Sequence, residues 1–336
     1  MKTVVIQGEK RAHIAEVPNP GCDNNLALVR IHSAPMCTEY RKYFKGEKCT
    51  NIGHEGAGEI VEAPANSKVK AGQRVIVMPQ YPCGSCELCL AGDYIHCENI
   101  NDPGKNAQIE YGTGTFADYI VKPDWLLLPI PDDLTYDESA MACCALGPAL
   151  GAGAAMNVSA GETVLVTGIG PVGLGAVIYC TYRSARVIAV GRNAYRRSLA
   201  LQLGAEAVLD PEEPDTDEKI SRLTNGKGVD NVIECAGEQS YQRLAVRSVR
   251  RKGQIAFIGE SGDFTLNISR DLLRKGLTIH GIWHWNLNYY GEMINLIRAS
   301  RQKLQTLITH RFPLDKIEEA FELQLSGNCG KVILQP

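Results

Sequence analysis

Long apolar runs, a surplus of one charge and an abundance of aromatic residues are all missing from this chain of 336 residues. Its most apolar stretch, Ala140 to Met156, is shorter than a membrane span, rich in glycine and broken by Pro148, so it reads as a buried core segment. Thirty-five basic side chains face 38 acidic ones, for a formal net charge of −3. That balance calls for neither nucleic acid nor an anionic membrane as partner. Arg250-Arg251-Lys252 and similar short clusters read as solvated surface. Met1 to Lys10 reads as a strand and a turn, without the apolar stretch or cleavage site of an export signal. The expectation is a cytoplasmic chain, where clustered thiols bind metal more often than they form disulfides.

Cysteine is present in quantity, with twelve residues. The length suggests two domains. Up to about residue 140 the pattern is short β runs, at Thr3–Ile6, Leu26–Ile31, Gly58–Val61 and Arg74–Val77, separated by Gly, Pro and Asn. From Ala160-Gly161 onward, strands alternate with helical stretches. Strands are expected at Thr163–Thr167, Arg186–Val190, Asn231–Glu234, Gln254–Ile258 and Thr278–Ile282. Helices are expected at Val172–Tyr182, Ala194–Leu203, Tyr289–Ser300 and Leu314–Leu325, with a last strand at Lys331–Leu334. The fold class is therefore α/β, a β-rich region plus a parallel sheet covered by helices.

Gly168-Ile169-Gly170-Pro171-Val172-Gly173 fits G-x-G-x-x-G and joins a strand to a helix. Gly168 permits the tight turn, Gly170 lets the backbone approach a pyrophosphate, and Gly173 lets helix and strand pack closely. The helix start, at Pro171 and Val172, offers unpaired N–H groups to phosphate. The second strand ends in Gly191-Arg192, without the acidic residue that binds the ribose 2′-hydroxyl of NAD. Arg192, with Arg196 and Arg197 behind it, suits a 2′-phosphate and favours NADP over NAD; solvated arginines are the plainer reading. Cys83, Cys86, Cys89 and Cys97 stand at C-x2-C-x2-C-x7-C, a spacing suited to a closed structural zinc site, with an iron–sulfur cluster as the competing reading.

Gly53-His54-Glu55-Gly56-Ala57-Gly58, the four-cysteine lobe and the Gly168–Gly173 turn follow one another in this order. Together they resemble the zinc-dependent medium-chain alcohol and polyol dehydrogenase family over essentially the whole chain. The resemblance implies a GroES-like catalytic domain at residues 1–147 and 286–336, with a Rossmann doubly wound domain at 148–285 inserted in it. It implies two zincs per chain. The catalytic one would be held by Cys37, His54 and Cys144, with Glu55 as an intermittent fourth ligand; Cys143, adjacent to Cys144, leaves room for a slip of one. Cys₂His is a known catalytic zinc set that keeps one position open. The activity implied is hydride transfer between NAD(P) and a secondary alcohol or ketone. Homodimers or homotetramers are usual in the family, and the edge strand near Thr278–Ile282 is an expected contact.

The chain departs from the family pattern after Cys37. The family places a hydroxyl two residues on, to relay the substrate proton, and an acid next to it. Here Cys37-Thr38-Glu39-Tyr40 puts Glu39 at the relay position. Glu39 itself is the preferred proton acceptor, and Thr38 is the alternative. Trp283-His284-Trp285, Tyr289 and Tyr290 are expected near the substrate, or else in an interface. The small residues of Ala142–Gly153 leave room for a polyol, cyclitol or sugar. A reductase of activated double bonds and a non-catalytic dinucleotide-binding protein are the competing classes.

Overall fold

In the computed structural model the runs Leu26–Ile31, Gly58–Val61 and Arg74–Val77 join one antiparallel-rich sheet, Thr3–Ile6 pairs with Arg11–Glu16 in a separate two-stranded sheet, and the alternating segments become a parallel one. The structure describes residues 1–22, 26–104, 106 and 109–336. The chain forms two units. Met1–Cys143, Asn286–Arg298 and Ile308–Pro336 make the first, and Cys144–Trp285 with Ala299–Leu307 the second.

In the first unit the ten-residue strand Leu26–Pro35 is the hub. It pairs antiparallel with Gly56–Glu62, Tyr119–Pro123 and Lys331–Gln335. The alternate residues Ala27, Val29 and Ile31 point into a core shared with Ile60, Val75, Val77, Phe116 and Phe321. Burying each large apolar side chain contributes roughly 1.5–3 kcal/mol. Gly58 is required by the close strand approach, since a Cβ there would lie 2.0 Å from the Arg30 carbonyl oxygen. This hub brings residues 35–37, 53–56 and 331, distant in sequence, to one end of the sheet.

The second unit has a six-stranded parallel sheet, in the order Ala207–Leu209, Arg186–Val190, Thr163–Thr167, Val229–Glu234, Val249–Phe257, Thr278–Gly281. In chain sequence that is the 3-2-1-4-5-6 order of a doubly wound dinucleotide fold. Thr163–Thr167 is buried along its whole length, as a central parallel strand should be. The fifth strand begins five residues before its expected start. Arg250-Arg251-Lys252 forms its opening, where the register shifts, and Arg250 Nε bonds Asp230 Oδ1 at 2.6 Å. The apolar stretch around Pro148 is the helix Gly147–Met156, largely buried. Among the described residues no helix is long and apolar enough to cross a membrane.

Candidate functional site

Cys37 follows the hub strand by two residues, and His54 and Glu55 immediately precede the strand Gly56–Glu62. Gly53, at φ +90°, turns this loop inward; a Cβ there would lie 2.4 Å from the Phe116 ring. Cys144 is bonded directly to Cys143, the last residue of the first unit. One ligand atom from each of Cys37, His54, Glu55 and Cys144 lies within 4.8 Å of the others. The neighbouring Cys143 is turned away. It is fully buried, its thiol donates to the Val77 carbonyl at 3.5 Å, and burial pushes it up to about 12. Two sulfurs, an imidazole and a carboxylate converging in this way fit a zinc ion with one exchangeable position.

The acid that serves this cluster is Glu39. Its Oε1 lies 2.6 Å from His54 Nδ1, and its Oε2 accepts the Cys37 backbone N–H at 2.7 Å. Burial opposes the charge on both members of the pair. Even so, Glu39 is held below the ordinary carboxylate range by His54, and His54 is held well above the ordinary imidazole range by Glu39 and Cys37. Both carboxylate oxygens of Glu39, expected as the proton acceptor, already have partners, an imidazole and a backbone N–H. With both oxygens engaged and the residue buried, it positions His54 and the Cys37 backbone. The histidine-orienting acid stands two residues after Cys37 instead of three, and Thr38, exposed beside Cys37, is the hydroxyl left facing solvent.

Glu55 is paired with Lys331 at 2.6 Å, and both side chains are wholly buried. Burial pushes Glu55 up to about 7, against the pull of Lys331. This lysine was missed in the sequence. It lies 276 residues from Glu55, in a strand whose alternation marks it only as one more sheet residue.

Cys83, Cys86, Cys89 and Cys97 also place their sulfurs within 4.8 Å of one another. Cys83 and Cys97 are 3.5 Å apart, Cys86 and Cys97 3.9 Å, far beyond a disulfide bond. Backbone N–H groups point at the sulfurs: Cys83 and Asn99 donate to Cys97, and Cys86 donates to Cys83. Donation from Ser85 and Cys86 brings the Cys83 thiol down to about 6. Gly84 and Gly92, at φ +75° and +87°, make the reversals that close the lobe.

In the second unit the Gly168 turn has the shape its spacing predicts. Gly168 sits at φ +81° with Ala236 against it, and a Cβ on Gly173 would lie 1.9 Å from the Gly168 carbonyl oxygen. Gly170 faces open space, and Pro171 opens the helix Pro171–Tyr182. Gly191 admits no side chain, because a Cβ would lie 2.1 Å from Ile169. The three arginines separate. Arg197 turns inward, donating to the carbonyls of Gly191 and Arg192 and to Asp210 Oδ2, so it buckles the turn. Arg196 follows the cap Asn193, whose side chain accepts its backbone N–H. Arg192 is half exposed and pairs with Glu238 at 2.5 Å.

The aromatic cluster also separates. Trp285 and His284 are buried, Tyr290 donates its hydroxyl to the Pro129 carbonyl at 2.6 Å, and Trp283 and Tyr289 are exposed.

Residues 23–132 match the model of the alcohol dehydrogenase GroES-like domain, and residues 171–299 that of the zinc-binding dehydrogenases. The chain is 31% identical to an L-threonine 3-dehydrogenase of Bacillus licheniformis, over 98% of this chain and 96% of that protein. It is 28% identical to a sorbitol dehydrogenase of Bacillus subtilis, over 100% and 97%. Among solved structures, an alcohol dehydrogenase from Thermus sp. ATN1 superposes with a TM-score of 0.90 at 25% identity, covering both chains completely. A zinc-binding dehydrogenase from Sinorhizobium meliloti, solved bound to NADP, gives 0.86 at 26%, over 100% of this chain and 99% of that one. With both domain models matched in order and relatives aligned along nearly its whole length, the chain belongs to the zinc-dependent medium-chain alcohol dehydrogenase family and is an NAD(P)-dependent oxidoreductase.

Proposed function

We propose that Cys37, His54 and Cys144 hold a catalytic zinc, that Glu55 is its exchangeable fourth ligand, and that the four-cysteine lobe holds a second, structural zinc. The observation that carries this reading is the convergence of those four side chains within 4.8 Å, with His54 already held by Glu39. When bound, zinc supplies a Lewis acid for the alcohol or carbonyl oxygen and the dinucleotide exchanges the hydride. The chain's own residues do the rest. Glu39 at Nδ1 leaves Nε2 of His54 as the ligand atom and fixes its orientation. Lys331 keeps Glu55 in place at the back of the cluster. Thr38, exposed beside Cys37, passes the substrate proton toward solvent through its hydroxyl.

Gly168, Gly170 and Gly173 cradle the pyrophosphate at the start of the helix Pro171–Tyr182. Arg192, next to a glycine where an NAD-binding enzyme carries an acid, reads the 2′-phosphate, so NADP is preferred over NAD. The substrate is a secondary alcohol with further polar groups, of the polyol, cyclitol or sugar class. Exposed Trp283 offers a face for such a ring, and the sorbitol dehydrogenase relative is named for a polyol. Homodimers or homotetramers form along the edge strand Thr278–Gly281. Twelve cysteines with no disulfide among the described residues suit a reducing cytoplasm. The test is a panel of polyols, sugars and simple alcohols with each dinucleotide, read at the reduced-nicotinamide band. Faster NADP reduction with a polyol is expected; no reduction with any alcohol contradicts the proposal.

A further inference from the structure

The ion pair between Arg192 and Glu238 joins the ends of two different parallel strands. Arg192 follows Arg186–Val190, and Glu238 follows Val229–Glu234. Glu238 sits at the N-cap of the helix Gln239–Ser248, yet its side chain makes no capping bond. It reaches instead to Arg192 Nη2. Tyr241, one turn into that helix and buried, also meets Arg192. The two arginine–carboxylate pairs of this corner differ in kind. Arg197 and Asp210 are 26% and 20% exposed, and Arg197 holds two carbonyls as well. Arg192 and Glu238 are 53% and 47% exposed, and among the described residues no carbonyl bond locks the Arg192 guanidinium. The first is a buckle, and the second is free to exchange its partner. No acid can be placed at residue 191, because Ile169 fills the space a side chain would need. The only carboxylate on the Arg192 guanidinium among the described residues therefore comes from beyond the end of Val229–Glu234, across the intervening strand Thr163–Thr167.

We propose that Glu238 is a specificity-determining residue, an internal carboxylate that occupies the Arg192 fork in place of the 2′-phosphate and so tempers the preference for NADP. A carboxylate and a phosphate both take the guanidinium through the same N–H donors, so they compete for it. The phosphate carries more charge and displaces the carboxylate, but binding must first open an existing pair. Removing Glu238 removes that competition. NAD, with a neutral 2′-hydroxyl, gains nothing from a liberated guanidinium.

This inference rests on Arg192 as the reader of the 2′-phosphate, and the test separates the two. KM for NADP and for NAD is measured with one alcohol in wild type, Glu238→Gln, Arg192→Ala and the double variant. Glu238→Gln is expected to lower the NADP-to-NAD KM ratio by about threefold to fivefold, the scale of an exposed ion pair. Arg192→Ala is expected to raise the ratio about tenfold or more, and in that background the Glu238→Gln change is expected to have no effect. If Arg192→Ala shifts the ratio and Glu238→Gln does not, the role of Glu238 is overturned and the reading of Arg192 stands. If Arg192→Ala leaves the ratio unchanged, the reading of Arg192 falls and the role of Glu238 with it.

Discussion

The two sulfur clusters of this enzyme gather similar ligands by opposite means. The lobe draws its four cysteines from Cys83 to Cys97, and its own backbone N–H groups and two left-handed glycines hold them. The Cys37 cluster draws its ligands from three separate places in the chain. It is held by side chains, Glu39 on His54 and Lys331 on Glu55. A local site closed on all sides suits a metal that stabilises. A site assembled by long-range packing and edged by an exposed hydroxyl at Thr38 suits one that reacts.

That contrast can be broken most sharply at His54. His54→Ala is expected to cut kcat/KM by roughly 10⁴-fold, about 5 kcal/mol of transition-state stabilisation, and to lower the melting temperature because buried Glu39 loses its partner; adding Glu39→Leu should restore the melting temperature but not the turnover. Cys97→Ser is expected to do the reverse, costing on the order of 4–5 kcal/mol of stability in urea unfolding, with the surviving folded enzyme still turning over. An equal loss of turnover in both variants would erase the distinction. Lys331→Met leaves Glu55 buried without its partner, and about 3–5 kcal/mol of stability should be lost. A double variant that also carries Glu55→Leu should recover most of it.

The smallest effect belongs to Glu39→Gln. A change in such a support to a metal ligand costs about 10–100-fold in metal retention or turnover. After chelation the same pair should show in the pH dependence of thermal stability. Glu39 is depressed by His54, so its contribution is present above 4.5 and is lost as pH falls through its lowered value. His54 is raised by Glu39, so its contribution is full below 6.5 and is lost as pH rises through its raised value. The metal-free enzyme should therefore gain most from the pair between those limits, and Glu39→Gln should flatten that gain.

Features written in short spacings were legible in the sequence. The four cysteines, the Gly168 turn, Arg74–Val77 and the approach of His54 to Cys37 all rest on local pattern or on a resemblance tied to it. Counting from Cys37 put Glu39 at a relay position, and its short distance to His54 Nδ1 was not legible there, because it follows from how the loop after the hub strand turns. Arg197 looked equivalent to Arg192 and Arg196 because all three are cations near one helix start. Helix phase turned it back onto the Gly191 and Arg192 carbonyls and Asp210. Lys331, Glu238 and Tyr241 gave no sequence signal, because each matters only through a contact made across the sheet or between strand ends.

Native mass spectrometry of wild type and Cys144→Ser, with turnover measured on the same samples, tests the reactive cluster most directly. Two zinc ions per wild-type chain are expected, with one ion and background turnover in the variant. A Cys144→Ser enzyme that keeps both ions and wild-type turnover would contradict the assignment of Cys144, with Cys37 and His54, to the reacting metal.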